Sequence, residues 1–196
     1  MCLRVQNPPF LPKKPVIPVL WDDVPGHIDL LSQAEYLFLQ GGSLSDLHSV
    51  LDMLGHPQLQ SQQIYLNLDL LSGLSVDVAA LQYIAAIPRI TGIITTRHNL
   101  TQAAHKLGLR TIVRIFLQDS RALDRGLHIA QTAKPDALEL LPGVAAAHIA
   151  TDFANLSIPI LAGGLIRSPQ SVRDIISAGI QSVSTSNPDL WVINSV

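Results

Sequence analysis

Residues Arg110–Leu141 read RTIVRIF LQDS RALDRGLHIAQTA KPD ALELL. Two apolar, β-branched runs, Arg110–Phe116 and Ala137–Leu141, enclose a segment with helical apolar spacing. Strands rarely tolerate that spacing, and helices rarely carry such runs, so the order is strand, helix, strand. The helix opens at Asp119-Ser120, where a short polar side chain can accept the first free backbone N–H groups. A strand returning after a helix of this length pairs in parallel with the strand before it.

The same unit recurs outward in both directions. Further strands are read at Val16–Trp21, Glu35–Gln40, Ile64–Leu70, Thr91–Thr95, Ile158–Ala162 and Gln181–Ser184. Helix starts are marked by Ser43, by Ser75-Val-Asp77, by Asn99 or Thr101, and by Ser168-Pro169. Gly55, Gly108 and Gly179 follow apolar-periodic segments, as left-handed C-caps do. Gly41-Gly42 reads as a turn ahead of the Ser43 cap. Eight strands alternating with helices imply a parallel sheet, and eight is the number that closes a barrel. The expected fold is α/β, a compact (β/α)8 TIM-like barrel over residues 15–196, preceded by an N-terminal extension, residues 1–14. The chain has 196 residues, fewer than the ~250 typical of this fold. Some helices must therefore be short or missing, above all after the last strand. A doubly wound open sheet is the alternative, but no G-x-G-x-x-G follows the first strand and no Walker sequence occurs.

Composition bounds the function. The chain is 47% hydrophobic and 14% charged, with a net charge of −2, and its mean hydropathy is +0.31. That suits a sheet buried on both faces and excludes a disordered chain. No apolar run approaches the ~20 residues of a membrane span, and Met1–Lys14 lacks a signal-peptide core. One cysteine, Cys2, cannot form an internal disulfide, which points to a reducing, cytoplasmic setting. A dedicated nucleic-acid binder is usually basic, so any such surface must be local.

The chemistry-bearing residues fall at strand C-termini. In the third strand Tyr65, Asn67 and Asp69 share one parity, and the outer face must meet apolar helices, so this polar parity is the inward one. Arg114 on the fifth strand and Glu139 on the sixth face inward in the same way. They sit on neighbouring strands, and an unpaired buried charge is too costly, so Arg114 should contact Glu139 or Asp69. Such a set is either a structural salt bridge filling the barrel or a polar floor that holds a ligand's hydroxyl groups. Asp69 or Glu139 as a catalytic base would compete with that pairing.

Gly163-Gly164 follows the seventh strand and Ser184-Thr-Ser186 the eighth. Glycines let backbone N–H groups approach an anion, and these two loops are where barrels of this type bind phosphate. Seven scattered histidines show no metal spacing, so neither a metal nor a cofactor is expected. His98, beside Arg97, is either a solvated loop residue or a functional one. The lysines are Lys13, Lys14, Lys106 and Lys134. None ends a strand, so a Schiff-base enzyme is disfavoured.

Six segments in register resemble the glycerol uptake operon antiterminators. They are Asn67-Leu-Asp-Leu-Leu-Ser-Gly-Leu-Ser75, Gly92-Ile-Ile-Thr-Thr-Arg97, Arg114-Ile-Phe-Leu-Gln-Asp-Ser120, Lys134-Pro-Asp-Ala-Leu-Glu-Leu-Leu-Pro-Gly143, Pro159-Ile-Leu-Ala-Gly-Gly-Leu165 and Ser184-Thr-Ser-Asn187. The resemblance runs from about Pro15 to Trp191. It implies a barrel that senses glycerol 3-phosphate and binds the leader mRNA of a glycerol-utilisation operon, letting transcription pass a terminator. Departures are Asn67 for the family's usual His, Ser72 for Glu and Arg97 for Lys. Arg97–His98, Arg121, Arg125 and Arg167 are the RNA-contact candidates, since they fall at or just after strand C-termini. The competing class is a small barrel enzyme acting on a phosphorylated sugar or polyol. The sequence leaves a homo-oligomer open.

Overall fold

The computed structural model describes residues 7–21 and 24–195, so Cys2 lies outside the described residues. Eight strands form one closed parallel barrel in chain order. They are β1 (Val16–Leu20), β2 (Tyr36–Leu39), β3 (Gln63–Asn67), β4 (Ile90–Thr95), β5 (Arg110–Phe116), β6 (Ala137–Leu141), β7 (Ile160–Gly163) and β8 (Ser182–Thr185). The helices between and after them are α1 (Ile28–Ser32), α2 (Leu44–Met53), α3 (Val78–Ala85), α4 (Thr101–Lys106), α5 (Ser120–Thr132), α6 (Gly143–His148), α7 (Pro169–Ser177) and α8 (Pro188–Trp191). The shortening expected from length falls where it was expected: α8 has four residues, and α1 and α6 five and six.

Two apolar shells result from strand alternation. The outer shell packs strands against helices through residues such as Leu37, Leu66, Val113, Leu140 and Val183. The inner shell fills the axis with Ile17, Tyr36, Phe38, Tyr65, Ile94, Ile112, Ala137 and Leu161. Phe10 belongs to this inner shell, with its ring centroid 4.4 Å from Tyr36 and 5.3 Å from Tyr65. The segment around it crosses the N-terminal mouth. Asn7 donates to the Thr91 and Gly108 carbonyls, and the Lys13 and Lys14 amides donate to Glu35.

Helix starts follow the capping logic at Asp77, Asp119 and Ser168, whose side chains accept from Ala80, Ala122 and Ser171 N–H. Ser43 stands at the N-cap of α2, but its hydroxyl donates to Asp46 rather than holding a backbone N–H. The fourth helix is entered through a 3-10 turn at His98–Leu100, and its N-cap position is Leu100. Gly108 and Gly179 take left-handed φ after their helices, whereas Gly55 does not. The chain leaves α2 there through tight backbone bonds, the Gly55 N–H reaching Asp52 O.

The third strand ends earlier than its sequence suggests. It stops at Asn67, whose side chain accepts the Asp69 N–H at 3.1 Å and folds Leu68–Leu70 into a 3-10 turn. That turn removes Asp69 from the axial row.

Candidate functional site

The C-terminal ends of the strands hold a polar layer above the apolar shell. Arg114 and Glu139 face each other in the β5–β6 register. The Arg114 Nε donates to Glu139 Oε2 at 2.7 Å, as the parity argument requires, and Arg114 Nη2 donates to Gln40 Oε1 at 2.9 Å. Asn67 Nδ2 approaches the same Gln40 oxygen at 3.5 Å. The Ser184 hydroxyl donates to Glu139 Oε1. Glu139 is fully buried and Arg114 nearly so. A buried carboxylate survives only with its charge matched and its oxygens occupied, and here both oxygens are. The floor is therefore a neutral network contributed by β3, β5, β6, β8 and the residue that follows β2.

Gly163 earns its place under this network. A Cβ there would lie 2.5 Å from Ser184 Oγ and 3.0 Å from Glu139 Oε1. Its glycine character is thus accounted for by the Glu139–Ser184 bond alone. Gly164 differs: its φ is +75°, followed by Leu165 at +59°, so two consecutive left-handed residues shape the loop after β7. The Gly164 carbonyl accepts the Gly143 N–H and ties this loop to the start of α6.

A pocket of about 340 Å³ opens above the floor. Gln40, Arg114 and Glu139 form its base, Gly164 to Arg167 one wall, and Ser184, Thr185 and Ser186 of the neighbouring strand and loop a second wall. Gly163 lies beneath the lining rather than in it. The Trp191 indole N–H donates to Thr185 O, and the Asn187 N–H to Thr185 Oγ1, which fix the second wall. Arg167 is exposed and brings a cation to the pocket.

Asp69 does not join Arg114. Its carboxylate accepts from Thr95 Oγ1 at 2.7 Å, Thr96 N at 2.6 Å and Thr96 Oγ1 at 2.8 Å, and so staples the loop after β3 to the loop after β4. Arg97 and His98 lie exposed on that second loop, with Arg97 Nη1 on the Val76 carbonyl. Arg121 and Arg125 are exposed on α5. Gln40 is the floor residue that sequence reasoning passed over. It directly follows β2 and continues the inward parity of Tyr36 and Phe38, which was the available signal.

The opposite mouth holds a second charged cluster. Asp136 pairs with Arg110 and His105, each at 2.9 Å, and accepts the Thr111 N–H. Burial pushes its carboxyl up, but the His105 hydrogen bond, the Thr111 amide and the neighbouring charges outweigh this and hold it below the ordinary value. In barrels such residues serve stability rather than chemistry. Among the described residues, no group of three His, Cys, Asp or Glu is arranged to hold a metal. No described helix is long and apolar enough to cross a membrane.

The sequence profile of a family described as "Glycerol-3-phosphate responsive antiterminator" matches residues 16–191. A glycerol uptake operon antiterminator regulatory protein from Listeria monocytogenes is 29% identical, with a TM-score of 0.80 over 94% of this chain and 98% of that one. A glycerol uptake operon antiterminator-related protein from Thermotoga maritima is 26% identical, with a TM-score of 0.77 over 91% and 98%. The uncharacterized protein YgcP of Escherichia coli is 24% identical over 184 residues, 94% of this chain and 95% of its own.

Proposed function

The chain belongs to the glycerol-3-phosphate responsive antiterminator family, and from that membership we propose that it binds glycerol 3-phosphate in the pocket at the barrel's C-terminal mouth and, so loaded, binds the leader mRNA of a glycerol-utilisation operon. The observation that carries the ligand half is the pairing of a neutral polar floor with two phosphate-type loops. The Arg114–Glu139 pair leaves no net charge at the base. The Gln40 side-chain amide then suits a hydroxyl group, which both donates and accepts. The phosphate goes to the mouth, where the backbone of the Gly164 and Thr185–Ser186 loops meets it.

The same geometry argues for a sensor rather than an enzyme. A general base needs a free lone pair aimed at substrate. Among the described residues, Glu139 is the carboxylate that lines the pocket, and its two oxygens are held by Arg114 and Ser184. No lysine lines the pocket, so Schiff-base chemistry has no nucleophile there. The work of the site is recognition, in a cytoplasmic protein that needs no cofactor.

RNA binding is assigned to the exposed arginines around this mouth, Arg97 with His98, Arg121, Arg125 and Arg167. Phosphate contacts by such residues release counterions, so affinity must fall as salt rises. The test is a gel-shift titration of the operon leader with and without glycerol 3-phosphate at two salt concentrations. Ligand-dependent retention that weakens with salt is expected. Turnover of a phosphorylated substrate with indifference to RNA would overturn the reading in favour of a phosphosugar enzyme.

A further inference from the structure

Three large apolar side chains stand exposed at the mouth, Leu165 in the wall of the pocket and Phe116 and Val144 outside its lining. Phe116 is 50% exposed, Val144 46% and Leu165 61%. They come from β5, α6 and the loop after β7, yet backbone contacts bring them to one place. Phe116 is in register with Leu141, and the Leu117 N–H donates to Leu141 O at 2.6 Å. Leu141 in turn lies against Gly164, since a Cβ there would meet its side chain at 3.6 Å. The Gly143 N–H donates to Gly164 O at 3.0 Å, which ties the start of α6, where Val144 stands, to the loop that carries Leu165. A groove of about 350 Å³ runs along Leu117, Leu123, Ala145 and Ile149, with Gln118, Asp119 and Ser120 completing its lining.

The rim of this patch is cationic. Arg121 and Arg125 are exposed on α5 on one side, and Arg167 follows Leu165 on the other. The acidic groups nearby are Asp119, whose carboxylate is engaged with Ala122 N–H, and the exposed Asp124. An exposed aromatic ring framed by arginines offers π-stacking for a base with phosphate contacts on either side. A two-fold interface between copies would instead bring the arginine rims together, and like charges in such contact are repulsive.

We propose that Phe116, Val144 and Leu165 form a platform that receives unstacked bases of single-stranded RNA while Arg121, Arg125 and Arg167 take its phosphates. This rests on the antiterminator reading and locates its RNA surface. It also joins the two sites physically. Leu165 holds a left-handed φ between Gly164 and Ile166, which both line the ligand pocket. A left-handed non-glycine persists only where its surroundings fix it. A phosphate seated against Gly164–Arg167 therefore fixes the face that Leu165 turns to the RNA, and the ligand raises RNA affinity about fivefold or more.

The test uses the full chain with glycerol 3-phosphate. The probes are a fluorescein-labelled oligouridylate of about 20 nucleotides, longer than a typical single-strand site, and a duplex RNA of the same length. Phe116→Ala and Val144→Glu are expected to weaken single-strand binding about tenfold, the loss typical of one stacked base. Phe116→Ala should leave duplex binding and the ligand-induced rise in Tm unchanged, because a duplex has no free base faces and Phe116 lies outside the pocket. Single-strand affinity within twofold of wild type in both variants would overturn the platform. So would a wild-type dimer in sedimentation that Phe116→Ala dissociates. Wild-type protein that retains the operon leader but not the single strand removes the platform and leaves the antiterminator reading standing; retention of neither removes both.

Discussion

Arg114 and Glu139 show what a single side chain can be held to by its neighbours. Removing Arg114 alone strands a fully buried carboxylate, and breaking such a pair costs about 3–5 kcal/mol. Chemical denaturation of Arg114→Met should show a loss of that size, and the double variant with Glu139→Gln should recover part of it. Equal stability of single variant and wild type would mean that the pair carries no desolvated charge. The pairing was legible because two-residue alternation puts Arg114 and Glu139 on one face of adjacent strands. Asp69 was misplaced by the same rule. Alternation holds only while the chain stays extended, and the Asn67 side chain captures the Asp69 N–H and ends the strand. Gln40 was missed although it lay inside the strand as read, Glu35–Gln40: the rest of its inward row, Tyr36 and Phe38, is aromatic and marks that row as core. The role of Gly163 had no signal in sequence, since it depends on a hydrogen bond between Glu139 and Ser184 across β6 and β8.

At the level of elements, the loop after β7 is constrained by two consecutive left-handed residues, Gly164 and Leu165. A Cβ on Gly164 would meet Leu141 at 3.6 Å, an ordinary contact, so space is not the obstacle. The obstacle is φ at +75°, which costs an L-residue roughly 1–2 kcal/mol and a β-branched one more. Gly164→Val should therefore fold with a modestly lower Tm and lose the stabilisation that glycerol 3-phosphate gives, read as the ligand-induced shift in Tm. An undiminished shift would place the phosphate elsewhere. Strand and helix order, the caps at Asp77, Asp119 and Ser168, and the left-handed glycines at 108 and 179 were all readable, because each is decided within a few residues. The exit from α2 was not. Gly55 carries the right residue type, but neighbouring carbonyls satisfy the turn without a left-handed step.

The whole molecule is a barrel sealed at one mouth and open at the other, and the sealed end sets its acid response. Asp136 is held below the ordinary carboxylate value in the folded state. A group so depressed adds stability at pH above its unfolded value, and that contribution is lost as pH falls through the lower folded one. Urea melts of wild type and Asp136→Asn should differ most near neutrality and converge as pH drops below the normal carboxylate range. A gap that stays constant with pH would rule out this linkage. The barrel's closure has its own signature. Asn194 holds both backbone groups of Val16, accepting its N–H at 3.1 Å and donating to its carbonyl at 2.8 Å, and β1 finds its second neighbour only in β8. The first strand therefore keeps one edge unpaired until β8 has been made. Domains generally fold as units as the chain emerges, and here the unit has no smaller closed version.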